Sequence, residues 1–236
     1  MKDTRTKIKI CGLRRREDVE LVNRYRPDLA GFVFAPSRRQ VTWEQASALA
    51  EGLQPGIRKV GVFVDAPLEE IRRICSREII DVIQLHGRES AEQIKWLQEY
   101  TGKPVIKAVR VRSQEQILRA GELPCECLLL DTYSAGQAGG TGETFDLRLI
   151  PSIHRHFFLA GGLCPENVGE RIGACRPYGV DVSSGVETAG WKDAEKIRRF
   201  VEQVREADVL REPSGSINSC VQAGSDRNRR GERSPV

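Results

Sequence analysis

Residues 59–85 read KVGVFVDAPLEEIRRICSREIIDVIQL. Two short apolar runs, Lys59–Val64 and Ile79–Leu85, enclose a charged, amphipathic stretch at Leu68–Cys75. The runs are continuous rather than alternating, the pattern of strands buried on both faces of a parallel sheet. Pro67 stands where the first turn of a helix tolerates proline. The segment therefore reads as strand, helix, strand.

The same rhythm extends in both directions. Apolar runs at Ile8–Cys11, Leu29–Phe34, Val105–Val109, Cys127–Leu130, Phe157–Ala160 and Gly179–Val182 bring the total to eight. Helix-like stretches at Glu17–Arg24, Thr42–Glu51, Ala91–Tyr100, Gln114–Ala120, Pro165–Ile172 and Lys192–Glu206 separate or follow them. Thr42 and Gln45 fit a capping box. After the sixth run only Phe145–Ile150 is available, for a short helix. Eight such units predict an α/β fold, a single-domain (β/α)8 TIM barrel over residues 1–207. A doubly wound open sheet would need fewer strands.

From Asp208 the chain turns to Ser, Gly, Pro and Arg without apolar periodicity, so residues 208–236 are expected to form a disordered tail. Across all 236 residues, 37 Lys+Arg against 33 Asp+Glu leave a net charge of +4, which makes no general case for nucleic-acid binding. No apolar stretch approaches the roughly 20 residues that cross a bilayer. The start, MKDTRTKIKI, has no apolar signal core, and a cytoplasmic location is expected. Seven cysteines, an odd number without a framework, read as reduced thiols.

In a parallel barrel the chemistry gathers where strands end. Those positions hold Cys11, Arg38 and Arg39, Asp65, His86, Arg110, Asp131, Gly161 and Gly162, and Asp181 followed by Ser183, Ser184, Gly185 and Glu187. Gly161-Gly162 and Ser183-Ser184-Gly185 follow the seventh and eighth strands, where backbone N–H groups of barrels often meet phosphate; tight turns alone would also use such glycines. A third glycine-rich stretch, residues 136–142, is placed to close over a ligand, and its GGTG lacks the Gly-Lys-Ser/Thr of a Walker loop. Cys11 ends its strand beside Lys9 by period two, an electropositive setting that favours thiolate, although a free cysteine is more often a small hydrophobe. Asp131 directly follows three leucines, and partial burial there favours a protonated general acid, with capping or ion pairing as the plainer role. Cys125-x-Cys127 lacks a second ligand pair and His154-x-His156 starts its strand at the opposite rim, so no metal is expected.

At this point the motifs become specific. Lys9-Ile10-Cys11-Gly12-Leu13, Gln84-Leu85-His86-Gly87 and Asp181-Val182-Ser183-Ser184-Gly185-Val186-Glu187 together resemble the phosphoribosylanthranilate isomerase family. Gly31-Phe32-Val33-Phe34 with Ser37-Arg38-Arg39-Gln40-Val41, Leu130-Asp131, Gly139-Gly140-Thr141-Gly142 with Phe145-Asp146, and Leu159-Ala160-Gly161-Gly162-Leu163 agree, in order, from residue 7 to about 205. The resemblance implies a cofactor-free Amadori rearrangement in tryptophan biosynthesis, from N-(5-phosphoribosyl)anthranilate to 1-(2-carboxyphenylamino)-1-deoxyribulose 5-phosphate. It implies Cys11 as general base, Asp131 as general acid and Arg39 at the anthranilate carboxylate. His86 and Asp181 would line the substrate, and Gly161, Gly162, Ser183, Ser184 and Gly185 would hold phosphate. The implied partner is one small phosphorylated molecule, bound by a monomer or homodimer with no nucleic acid or membrane. Leu147 stands where the family often carries tryptophan. Two other readings stay open here: indole-3-glycerol-phosphate synthase, which would ask for a lysine acid where strand one ends in cysteine, and a phosphate- or RNA-binding barrel that uses the Arg-rich tail.

Overall fold

Eight apolar runs buried on both faces fit a closed sheet, and the chain forms one. The computed structural model describes residues 5–132 and 146–211. Strands β1 (Lys7–Cys11), β2 (Leu29–Val33), β3 (Arg58–Phe63), β4 (Val82–Leu85), β5 (Val105–Val111), β6 (Cys127–Thr132), β7 (Phe157–Leu159) and β8 (Gly179–Val182) pair in parallel in chain order. Pairing of β8 with β1, Asp181 opposite Lys9, closes the barrel. Period two then sorts the side chains. Cys11, Val60, Val62, Ile106, Leu129 and Phe158 fill the barrel interior. Ile8, Ile10, Phe32, Phe63, Leu128 and Leu130 face outward to the helical layer.

Helices α1 (Arg16–Tyr25), α2 (Trp43–Glu51), α3 (Leu68–Ser76), α4 (Ala91–Thr101), α5 (Gln114–Gly121), α6 (Val168–Cys175) and, last in the chain, α7 (Ala194–Arg211) form that layer. The capping box at α2 is present, with Thr42 Oγ1 accepting from the Gln45 N–H and Gln45 Oε1 from the Thr42 N–H. Among the described residues between β6 and β7 a 3-10 turn forms, Leu147–Leu149, within the segment expected to be short.

Three boundaries depart from expectation for local reasons. The strand expected from Ile79 starts at Val82, because Ile79 and Ile80 are buried in the turn before it. The helix expected from Pro165 starts at Val168, since Asn167 Oδ1 accepts the Cys164 N–H and holds a turn ahead of it. Lys192, expected to start the last helix, belongs instead to a two-stranded hairpin, β9 (Glu187–Thr188) and β10 (Trp191–Lys192), after which Asp193 Oδ1 caps α7.

The tail expectation also needs correction at its start. Asp208 lies inside α7, where its carboxylate accepts the Thr6 N–H at 3.1 Å and the Thr6 hydroxyl at 2.6 Å. Arg205 donates to both Thr6 O and Asp208. The barrel unit thus runs past residue 207, and the rest of the expected tail, 212–236, lies outside the described residues, as does the glycine-rich stretch 136–142. Among the described residues no helix is long and apolar enough to cross a membrane.

Candidate active site

Every residue expected at the site lines one cavity at the C-terminal end of the strands: Cys11, Arg39, His86, Asp131, Gly161, Gly162, Asp181, Ser183, Ser184 and Gly185. Gln84, Arg110 and Thr132 join them. Seven of the eight strand ends are needed to assemble this set, which is why it is invisible as a local motif.

On β1, Lys9 is fully buried and its ammonium meets Asp181 Oδ1 at 2.8 Å across the β1–β8 seam. Burial works against that charge, but Asp181 and the neighbouring Cys11 outweigh it and raise the lysine above its ordinary range. Burial also pushes the Cys11 thiol up, and Lys9 offsets this only in part. The expected electropositive setting exists, yet burial wins and the thiol form is favoured. The Ser183 hydroxyl donates to Cys11 O at 3.0 Å, tying the end of β1 to the loop after β8.

Arg39 enters from the loop after β2 and is almost wholly buried. Its Nε and Nη2 donate to Glu187 at 2.8 and 2.9 Å, a fork-to-fork pair. Lys192 Nζ donates to the same carboxylate at 3.0 Å and to Ser183 O at 2.9 Å. Burial alone would raise the Glu187 carboxyl, but hydrogen bonding from Arg39 and the charge of Lys192 hold it below the ordinary carboxylate range. Both partners stand on the hairpin. Its turn, Ala189-Gly190, has positive φ at both residues, as tight two-residue hairpins require. The Arg14 and Arg15 guanidinium groups both lie over the Trp191 ring, at 4.2 and 4.1 Å, and Arg14 also donates to Gly190 O and Arg38 O. The hairpin is thereby stapled over the site.

Across the cavity, Asp131 Oδ1 accepts the Thr132 N–H and its Oδ2 lies 3.2 Å from His86 Nε2. The turn carrying His86 is braced from behind. Glu89 accepts the N–H groups of Asp65 and Gly87, and the buried Lys107 ammonium donates to Glu89, Leu85 O and Gly87 O. The loops after β7 and β8 offer backbone rather than side chain. Gly161 has φ +82°, and a Cβ there would collide with Thr132. A Cβ on Gly185 would overlap Leu163 O, so the two loops pack together only through glycine. Among the described residues no group of three or more His, Cys, Asp or Glu is arranged to hold a metal ion.

Asp65 stands on the rim but is used structurally, accepting the Arg88 N–H at 2.6 Å. The sequence reading assigned no role to Glu187, Lys192 or Gln84. Glu187 was visible as a strand-end acid. Nothing local marks Lys192, since its partnership with Arg39 depends on the hairpin folding back.

Comparison with known proteins identifies the family. Residues 8–203 match the family described as N-(5′-phosphoribosyl)anthranilate (PRA) isomerase. The chain is 47% identical over 212 residues to N-(5′-phosphoribosyl)anthranilate isomerase of Acetivibrio thermocellus, covering 86% of this chain and 97% of the other. Among solved structures, phosphoribosyl anthranilate isomerase from Thermus thermophilus superposes with a TM-score of 0.75 at 37% identity, over 85% of this chain and 99% of that one. A second such isomerase, in complex with reduced 1-(o-carboxyphenylamino)-1-deoxyribulose 5-phosphate, gives 0.73 at 34% identity with the same coverage.

Proposed function

The chain belongs to the N-(5′-phosphoribosyl)anthranilate isomerase family and is an isomerase of tryptophan biosynthesis, and from that premise we propose how its own residues carry the reaction. The observation that carries this reading is that Cys11, Asp131, Arg39 and both glycine loops line one cavity. Asp131, in its protonated form, gives its proton to the furanose oxygen and the C1′–O bond breaks, leaving an iminium at C1′. That positive charge acidifies the C2′–H, and Cys11 as thiolate takes the proton from the opposite strand end. The enolamine formed tautomerises to the ketone, so no redox step and no cofactor enters the balance.

Arg39 meets the anthranilate carboxylate. Glu187 occupies Nε and one edge of Nη2, which leaves Nη1 for a ligand and fixes the plane of the fork. The loops at Gly161-Gly162 and Ser183-Ser184-Gly185 hold the phosphate through backbone N–H groups. His86 and Asp181 border the ribosyl portion, each beside the group it supports. The catalytic unit is the barrel through α7, working in the cytoplasm.

A fluorescence assay that follows loss of phosphoribosylanthranilate tests the reading. Turnover by the purified chain, abolished to background in the Cys11→Ser, Asp131→Asn double variant, is the expected result. Full turnover in that double variant would place the chemistry elsewhere.

A further inference from the structure

Gln84 lines the cavity and is 1% exposed. Among the described residues its Oε1 is the buried side-chain polar atom left without a hydrogen-bond partner. Its Nε2 lies 3.4 Å from His86 Nδ1, and His86 Nε2 lies 3.2 Å from Asp131 Oδ2. Three side chains thus form a row that ends on the acid. An unpaired buried acceptor is costly, and an aliphatic side chain of the same volume would avoid the cost. The amide therefore calls for a state in which Oε1 is used.

We propose that Gln84 is a positioning residue for Asp131, acting through His86, and that its amide lets the imidazole serve the carboxyl both with and without its proton. The proposal rests on the reading of Asp131 as the acid. An ionised carboxyl wants a donor at Oδ2. Neutral imidazole supplies one as Nε2–H, and its bare Nδ1 then needs a donor, the Gln84 Nε2–H. The structure has the amide turned to suit that state, with Nε2 rather than Oε1 towards His86 Nδ1 and Oε1 idle. A protonated carboxyl instead donates to Nε2, which moves the ring hydrogen to Nδ1 and asks for an acceptor there. A half-turn of the amide supplies Oε1 at the same place.

The protons balance. Passing from the first state to the second, one proton enters from water at Nδ1 and the Nε2 proton passes to Asp131, so the pair holds one more. Asp131 then delivers that proton to the furanose oxygen. A carboxylate at position 84 would only accept, an ammonium would only donate, and a thioether would donate nothing and accept only weakly.

A double-mutant cycle tests this. Gln84→Met keeps the volume and removes both functions. With Asp131 intact it is expected to lower kcat about tenfold, less than loss of the acid itself. KM and affinity for reduced 1-(o-carboxyphenylamino)-1-deoxyribulose 5-phosphate are expected to stay within about threefold. In an Asp131→Asn background the same change is expected to alter kcat less than about twofold, because the proton it manages is gone. An equal loss in both backgrounds, or no loss in either, overturns the proposal. Near-normal turnover in Asp131→Asn alone overturns the reading of the acid, and does so independently of Gln84.

Should Gln84→Met fail to fold, Gln84→Glu with 15N-labelled histidine gives a second measurement. The chain has three histidines, so His86→Asn assigns the signal. The ring hydrogen is expected on Nε2 in the free wild-type chain and on Nδ1 in Gln84→Glu, since a carboxylate only accepts. Identical ring-nitrogen shifts in the two proteins would refute the coupling.

Discussion

The two ends of the barrel use carboxylates in opposite ways. At the N-terminal end each acid, whatever side chain it also pairs with, accepts a strand's backbone N–H: Asp28 that of Ile8, Asp81 that of Lys59, Glu126 that of Val105 and Asp208 that of Thr6. Each acid ties the start of one strand to the next element around the ring. At the C-terminal end acids mostly serve other side chains. Asp181 holds Lys9, Glu187 holds Arg39 and Lys192, and Asp131 faces His86. Glu89 and Asp65 are exceptions: Glu89 bonds backbone and Lys107 to brace the turn that carries His86, and Asp65 accepts the Arg88 N–H. One end spends its charges on register, the other on orienting groups around a cavity.

That division breaks if changes at the C-terminal end act mainly on stability. Cys11→Ser replaces the thiol by an alcohol that does not ionise usefully, and Asp131→Asn removes the donated proton. Each is expected to lower kcat by about 10² or more while thermal stability changes little. Stopped or continuous fluorescence assays beside a melting curve decide it, and near-normal turnover in either variant rejects that residue's role.

The pH dependence sharpens the picture next. Burial holds the Cys11 thiol above its ordinary range, so the thiol dominates at neutral pH. The thiolate fraction then rises with pH. In the intact enzyme the need for a protonated Asp131 opposes that rise, so it is read in the Asp131→Asn background, where the residual kcat/KM is expected to climb about tenfold per unit between about pH 6 and 8. A profile that falls steadily across that range would exclude a thiolate base.

Smaller effects are expected around Arg39. Arg39→Ala should raise KM with kcat less affected, since the contact exists before and during reaction. Glu187→Gln frees the guanidinium and leaves two buried cations with one neutral partner, so KM should rise about fivefold with a stability loss of about 2–4 kcal/mol. An unchanged KM in both would remove Arg39 from the substrate.

The N-terminal end should leave turnover untouched. A chain ending at Ala207 lacks the Asp208 carboxylate and should lose about 1–2 kcal/mol of stability, whereas one ending at Arg211 keeps the Thr6 contacts. Equal melting temperatures for the two would show that this closure contributes nothing.

The fold was legible because each strand announces itself locally. Ile8, Ile10 and Cys11, or Leu128–Leu130, must leave water wherever the chain takes them, and α2, α4 and α5 carry their own side-chain caps. The site was legible in part, since position at a strand end is enough to nominate Cys11, Asp131 and Asp181. Boundaries failed where a turn or hairpin competes with a helix, as at Pro165 and Lys192. The Lys9–Asp181 pair, and the burial that outweighs Lys9 at Cys11, were not legible, because a lysine in a short strand does not reveal what its ammonium meets.

The amino-acid sequence by itself determined the eight strands, their order, the rim on which chemistry gathers and the cysteine and aspartate that face it. These follow from hydrophobic period and strand direction, which are properties of neighbouring residues. Only the tertiary structure decided which charges meet: Lys9 with Asp181, Arg39 with Glu187, Thr6 with Asp208. These partners are 148 to 202 residues apart in sequence. They come together because β1 pairs with β8 and closes the ring, and closure is a property of the whole chain.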